Sequence, residues 1–231
     1  MSLNSDIKFD LEGERQKESN QEEKVLFGLK VKKDTTRANI IAIPLLFFVC
    51  STANFYSSTL LPLLLADKKY FGIKQSELGT ATSTVIFWAQ VVPLVTFPLY
   101  AFIFEFLGRR IPILFSMCFI LVSNYYYPRV APQMSHLITL RVFLALANTI
   151  IIGTPLISDY IKQESRGKAI AVQSVSIGLS NVFATLVLVP LTIDMDFDDA
   201  FAVSTIVLAC AAFPVLFMVR EPVIKQRKEQ S

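Results

Sequence analysis

The sequence predicts an all-α integral membrane protein with six transmembrane helices. Composition is the first sign. Of 231 residues, 53% are apolar and 18% charged, with a mean hydropathy of +0.50, whereas a soluble domain carries about a quarter charged residues. The second sign is segregation: the charges collect in tails and short joints rather than alternating along helical faces. The third is length, because the apolar runs between joints approach or exceed the about 20 residues that a helix needs to cross the hydrocarbon.

Residues 1–37 carry eight basic and eight acidic side chains. So little apolar surface predicts a disordered tail. No apolar core follows the early basic residues, so the tail is not a secretory leader, and it is too acidic for a typical mitochondrial presequence. Val25 to Leu29 reads as solvated linker, with a place on the membrane surface as the alternative. The first span is expected over about 38–66, with Pro44 and Pro62 inside, followed by the polar joint 67–74. The second, 78–104, contains Pro93 and Pro98 and ends at Glu105-Phe106-Leu107-Gly108-Arg109-Arg110. The third, 111–125, is short; Pro112 suits a first helical turn, and Tyr125-Tyr126-Tyr127 is an aromatic cluster of the interfacial type. Pro128 and Pro132 precede a fourth span over 135–157. A second charged joint, 158–168, leads to the fifth span (169–193), the acidic turn 194–199 and the sixth span (200–219). The spans thus occupy residues 38–220, with a basic tail at 221–231.

Six spans put both termini on one side. Seventeen of the 22 basic residues fall on that side, in the two tails and in the joints holding Arg109, Arg110 and Arg166. Four fall on the other (Lys68, Lys69, Lys74 and Arg129), and Arg141 lies inside a span. The positive-inside rule therefore predicts cytoplasmic termini. Prolines in or beside nearly every span predict bent helices, since neighbours in a bundle can satisfy the freed carbonyls.

The joint between spans 2 and 3 resembles the signature G-x-x-x-D-R-x-G-R-R of the major facilitator superfamily (MFS). It reads Ala101-x-x-x-Glu105-Phe106-x-Gly108-Arg109-Arg110, with Glu for Asp, Ala for the first Gly and Phe for the first Arg. Tyr70 to Gly79 is similar to the segment with which such transporters open span 2. Pro155 to Asp159 followed by Glu164 to Ala169 is similar to their joint between spans 4 and 5. Arg141 stands where the family often has an arginine, although Ala145 replaces the usual glycine four residues later. The resemblance covers roughly 38–220 and corresponds to the N-terminal six-helix half of such a transporter. It implies transport of a small solute by alternating access, with the site between two halves near the midplane. The second half would be another copy, giving a homodimer, or another polypeptide. The alternatives are a non-transporting structural subunit of a membrane complex and a shortened form of a twelve-span transporter.

The resemblance also implies a latch at the cytoplasmic helix ends, formed by Glu105, Gly108, Arg109, Arg110, Asp159 and Arg166. The physics agrees, because a carboxylate at the apolar boundary seeks an arginine. The plainer reading is a tight turn with topogenic arginines, and Asp159 with Arg166 forms either a second clasp or two solvated helix ends. Arg141 either faces a cavity, attracting an anionic solute or a carboxylate, or snorkels outward past His136. Asn54, Gln90, Asn148 and Gln173, together with Asn181, sit in spans 1, 2, 4 and 5, which line the cavity in the family; interhelical hydrogen bonding is the alternative.

No acidic residue lies mid-span, so the sequence offers no proton relay. The acidic turn lacks the glycine and glutamate of a calcium loop, with Asp199 and Thr205 at those positions. Cys50, Cys118 and Cys210 lie in separate spans and read as packing residues. No catalytic motif, cofactor signature or nucleic-acid footprint is present in the sequence. The expected partners are the lipid bilayer and a small solute.

Overall fold

The apolar runs fold as helices whose ends fall at the charged joints. A computed structural model describes residues 24–32 and 35–219, without the side chains of Ala101 and Glu105. Of the tails expected at 1–37 and 221–231, residues 1–23, 33–34 and 221–231 lie outside the described residues. The long helices are α1 (Arg37–Ala66), α2 (Gln75–Leu107), α3 (Arg110–Tyr126) and α4 (Met134–Gly153). A short α5 (Leu156–Tyr160) follows α4, with Thr154 and Pro155 between them. A 3₁₀ turn (Gln163–Ser165) then leads into α6 (Arg166–Phe183). That helix continues through a π segment (Ala184–Leu188) into α7 (Val189–Thr192), and α8 (Phe197–Met218) closes the bundle. Five of these rods are long and apolar enough to cross a membrane, and α3 is a shorter apolar helix. The protein is therefore an all-α membrane bundle.

Local sequence accounts for the ends and irregularities. Thr36 caps α1: its hydroxyl accepts from the Asn39 amide while the Asn39 side chain accepts from the Thr36 N–H, a reciprocal capping box. Pro44 and Pro62 lie inside α1, Pro93 and Pro98 inside α2, and Pro214 inside α8. In the fifth rod the π segment ends at Leu188, two residues before Pro190. A proline cannot donate to the carbonyl four residues back, and widening the turn is one way to absorb that loss. Serine and threonine hydroxyls donate to carbonyls of the preceding turn, as in Thr52 to Phe48 (2.7 Å), Ser57 to Ala53 (2.8 Å) and Thr154 to Ile150 (2.8 Å). Such bonds let hydroxyls sit in an apolar surrounding.

The most extensive packing pairs α2 with α4, α3 with α4, α1 with α6, α1 with α8, and α3 with α8, while α1 also meets α4. Exchanging the first three long helices for the last three maps this pattern onto itself, the signature of an internal repeat. It orders the rods α2, α4, α1, α6 as one layer, with α3 and α8 behind. In the most apolar stretch of each rod, 61% of α1 is buried but only 17% of α2, so α1 is the core helix and α2 an edge. The core has two lobes. One, around Leu46, Phe47, Met117 and Ile151, extends to Leu29 and Val31. The other gathers Tyr56, Leu61, Tyr127, Leu137 and Phe201, with the Phe201 ring against Tyr56 and Tyr127 at 5.2 and 5.3 Å.

Part of the expected tail is folded. Strands β1 (Val25–Leu26) and β2 (Leu29–Lys30) form a hairpin about Phe27 and Gly28, both with positive φ (52° and 74°), the backbone that a two-residue hairpin turn favours. A lone hairpin is marginal in water, and this one is docked. Val31 pairs with Ile161, Lys32 N–H donates to the Tyr160 carbonyl (2.9 Å), and Lys162 N–H donates to the Lys30 carbonyl (2.9 Å). Leu29 and Val31 are buried in the bundle. Those two side chains are why residues 24–32 fold here instead of remaining solvated linker.

Candidate functional site

The residues expected to form a latch lie at the basic end of the bundle. Gly108 separates α2 from α3 with φ +74° and ψ −157°, a conformation open essentially to glycine alone. The turn lets Arg109 lie back: its Nε donates to Asp159 Oδ2 (2.8 Å) and its Nη1 to the Phe104 carbonyl (3.1 Å). The two side chains are 23% and 17% exposed, so the ion pair is partly desolvated and ties the α2–α3 joint to α5. Arg110 is exposed at the start of α3. Asp159 thus pairs with Arg109 and not with Arg166, so of the two alternatives for Asp159 and Arg166 the clasp does not form, and Asp159 is not a solvated helix end either. Asp159 is on α5, whereas Arg166 begins α6 beyond the 3₁₀ turn; Arg166 is half-buried and its Nε has no partner among the described residues. The Glu105 side chain lies outside the described residues. The hairpin reinforces the same joint through Lys30 and Glu164 (2.8 Å) and through Lys30 N–H on Ser165 Oγ (3.0 Å). The Lys30 ammonium holds the Glu164 carboxyl below its ordinary range.

The opposite, acidic end is tied by pairs that the sequence reading did not single out. Lys69 Nζ meets Asp196 (2.7 Å), and that hydrogen bond raises the Lys69 pKa. Arg129 donates to the Asp198 carbonyl (2.8 Å), and the Tyr70 hydroxyl donates to Asp198 Oδ2 (3.3 Å). Each joint contributes, so the acidic turn binds its neighbouring joints. Among the described residues no cluster is arranged to hold a metal ion.

The spans between these ends carry the polar groups. Arg141 is 6% exposed. Its Nη1 donates to Ser57 Oγ (2.6 Å), its Nη2 to Ser58 Oγ, and its Nε has no partner. Snorkelling is therefore not its state; the serines of α1 hold it across the α1–α4 seam. Those serines were not singled out in sequence, where hydroxyls on an apolar run look like back-bonded packing residues. Nearby, Asn124 donates to Ser204 (2.6 Å) and Thr205 (3.0 Å), joining α3 to α8.

The five carboxamides behave otherwise. Gln90 and Asn181 are exposed, while Asn54, Asn148 and Gln173 are half-buried. Among the described residues none of these side chains makes a hydrogen bond, and Asn148 Oδ1 is buried without one. Interhelical hydrogen bonding within this chain thus does not account for them. All five lie on α1, α2, α4 and α6, the layer in front of α3 and α8.

A search among curated proteins finds no match to this chain. The family described as Major Facilitator Superfamily matches residues 45–231, which takes in α1 from Leu45 onward, every later helix of the bundle and both charged joints of the basic end. An all-α bundle with this match is a membrane transporter in kind, and the chain belongs to the Major Facilitator Superfamily.

Proposed function

We propose that this chain is one half of a secondary transporter that moves a small polar solute across a membrane by alternating access, completed by a second six-span half. One observation carries the reading: five mid-span carboxamides on the four helices of one layer have no hydrogen-bond partner among the described residues. An amide left unpaired in hydrocarbon costs several kcal/mol, roughly 4–8 on a water-to-cyclohexane scale. Such groups are stable facing water or another polar surface, so the front of the layer faces a cavity and not lipid. The second half, a further copy or a partner, closes the other side of that cavity. The basic end, with its latch, is cytoplasmic in this reading. The Arg109–Asp159 pair holds α5 to the α2–α3 joint, so the half moves as one body.

Single-cysteine accessibility tests this. With Cys50, Cys118 and Cys210 replaced by alanine, Gln90→Cys and Asn181→Cys should react in intact membranes with water-soluble thiol reagents. Val95→Cys and Leu186→Cys, at exposed apolar positions turned away from those residues on the same rods, should react far more slowly. Equal inertness of all four positions would remove the cavity. A structural subunit would show Gln90 and Asn181 protected by unrelated subunits in the native complex.

A further inference from the structure

A buried arginine without an acid is an unfinished site. Arg141 is more than nine-tenths buried, and among the described residues no carboxylate pairs with it. Its two contacts, Ser57 and Ser58, are neutral hydroxyls that position the guanidinium and leave its charge uncompensated. Charge at this depth is costly unless an anion or water answers it. Two buried polar groups are left over here: Arg141 Nε–H and the Tyr127 hydroxyl, which is fully buried, lies in the field of the Arg141 charge and has no hydrogen bond. Both are donors, and Asn124 Oδ1, a buried acceptor without a partner at the α3–α8 contact, carries no charge, so what the place lacks is an acceptor carrying negative charge.

The approach to it is polar. Ala145 and Asn148 follow Arg141 at four and seven residues, on the same face of α4, and both are half-buried. On α1, half-buried Asn54 lies one turn from Ser58, about 6 Å along the axis. From Arg141 toward the basic end, α1 and α4 thus each carry one of the unpaired carboxamides, Asn54 and Asn148.

We propose that Arg141 is an anion subsite, receiving the carboxylate or other oxyanion of the transported solute with Ser57 and Ser58 as positioning residues. This rests on the transport reading above. A solute oxyanion answers the charge and the donors together, and its arrival and departure let the arginine be paired only while cargo is bound.

The test needs no knowledge of the solute. In the full chain without native cysteines, Ala145→Cys and Asn54→Cys are treated in membranes with a sulfonate-bearing methanethiosulfonate and with its trimethylammonium analogue. One unit charge at about 7 Å, screened by an intermediate dielectric, should favour the anionic reagent about tenfold. Arg141→Lys should keep that preference and Arg141→Gln abolish it. Equal rates, a cationic preference, or an anionic preference that survives Arg141→Gln would overturn the subsite. If Ala145→Cys and Asn54→Cys stay inert while Gln90→Cys and Asn181→Cys react, the subsite falls and the cavity stands. If all four are inert, both fall.

Discussion

Gly108 and Arg109 solve one problem together. The chain must reverse at the membrane boundary and return a guanidinium to the carboxylate of Asp159, and only a residue without Cβ takes the required backbone. Gly108→Ala should destabilise the bundle by on the order of 1–3 kcal/mol, seen as a lower unfolding temperature in detergent. Asp159→Asn should cost about 1–2 kcal/mol, since a partly exposed pair is worth less than a buried one. Arg109→Gln with Asp159→Asn should then cost less than the sum of the single changes; a strictly additive pair would show that the two do not interact. The cationic ends and the carboxylate were legible in sequence. The choice of Arg109 over Arg166 was not, because it depends on how the 3₁₀ turn at Gln163–Ser165 separates α5 from α6. Arg141 was conspicuous as a lone charge, but its serine partners stand 84 and 83 residues away and no local pattern joins them.

At the scale of elements, the hairpin is the least expected piece. Its strands have two residues each, too short for a period-two pattern, and its stability comes from Leu29 and Val31 entering a core built by distant helices. Val31→Asp should release it, and amide exchange at residues 25–31 should rise to that of an open chain. Release should also follow acidification. The docked Glu164 carboxyl is held below its ordinary value by Lys30, so docking favours the ionised form. That contribution is complete above the unfolded carboxylate range and is lost as pH falls through the docked value. The pair is exposed, so the effect should be small and weakened by salt. Exchange at Lys30 that does not change with pH across the carboxylate range would remove Glu164 from the account. The π segment before Pro190 belongs to the same scale: prolines in the spans predicted bends in general, and only the packed helix decided that this one would follow a widened turn.

For the whole molecule, the internal repeat in the packing places α1 and α4 at the centre and leaves α2 and α6 at the edges. Their exposed carboxamides make the completed transporter a prediction about association. A cysteine pair on the exposed faces of α2 and α6 should crosslink to a second six-span unit in native membranes, and native mass measurement should show that unit as a further copy or a partner. Orientation is a second prediction at this scale: labelling of the basic joints should come from the cytoplasmic side, in keeping with seventeen basic residues there against four opposite.

The sequence by itself determined the kind of protein. Apolar length, segregated charge and the Glu105–Arg110 and Asp159–Arg166 joints read out as membrane helices of a known family, because insertion into lipid depends on local hydropathy and motif spacing is a local property. It also marked Asn54, Gln90, Asn148, Gln173 and Asn181 as out of place. Tertiary structure alone decided which polar groups of the spans found partners: Asn124 met α8, Arg141 met two serines of α1, and the five carboxamides met no partner among the described residues. Pairing between helices depends on rotation and depth of packing, and in a run that is apolar on every side no periodicity records which face will turn inward.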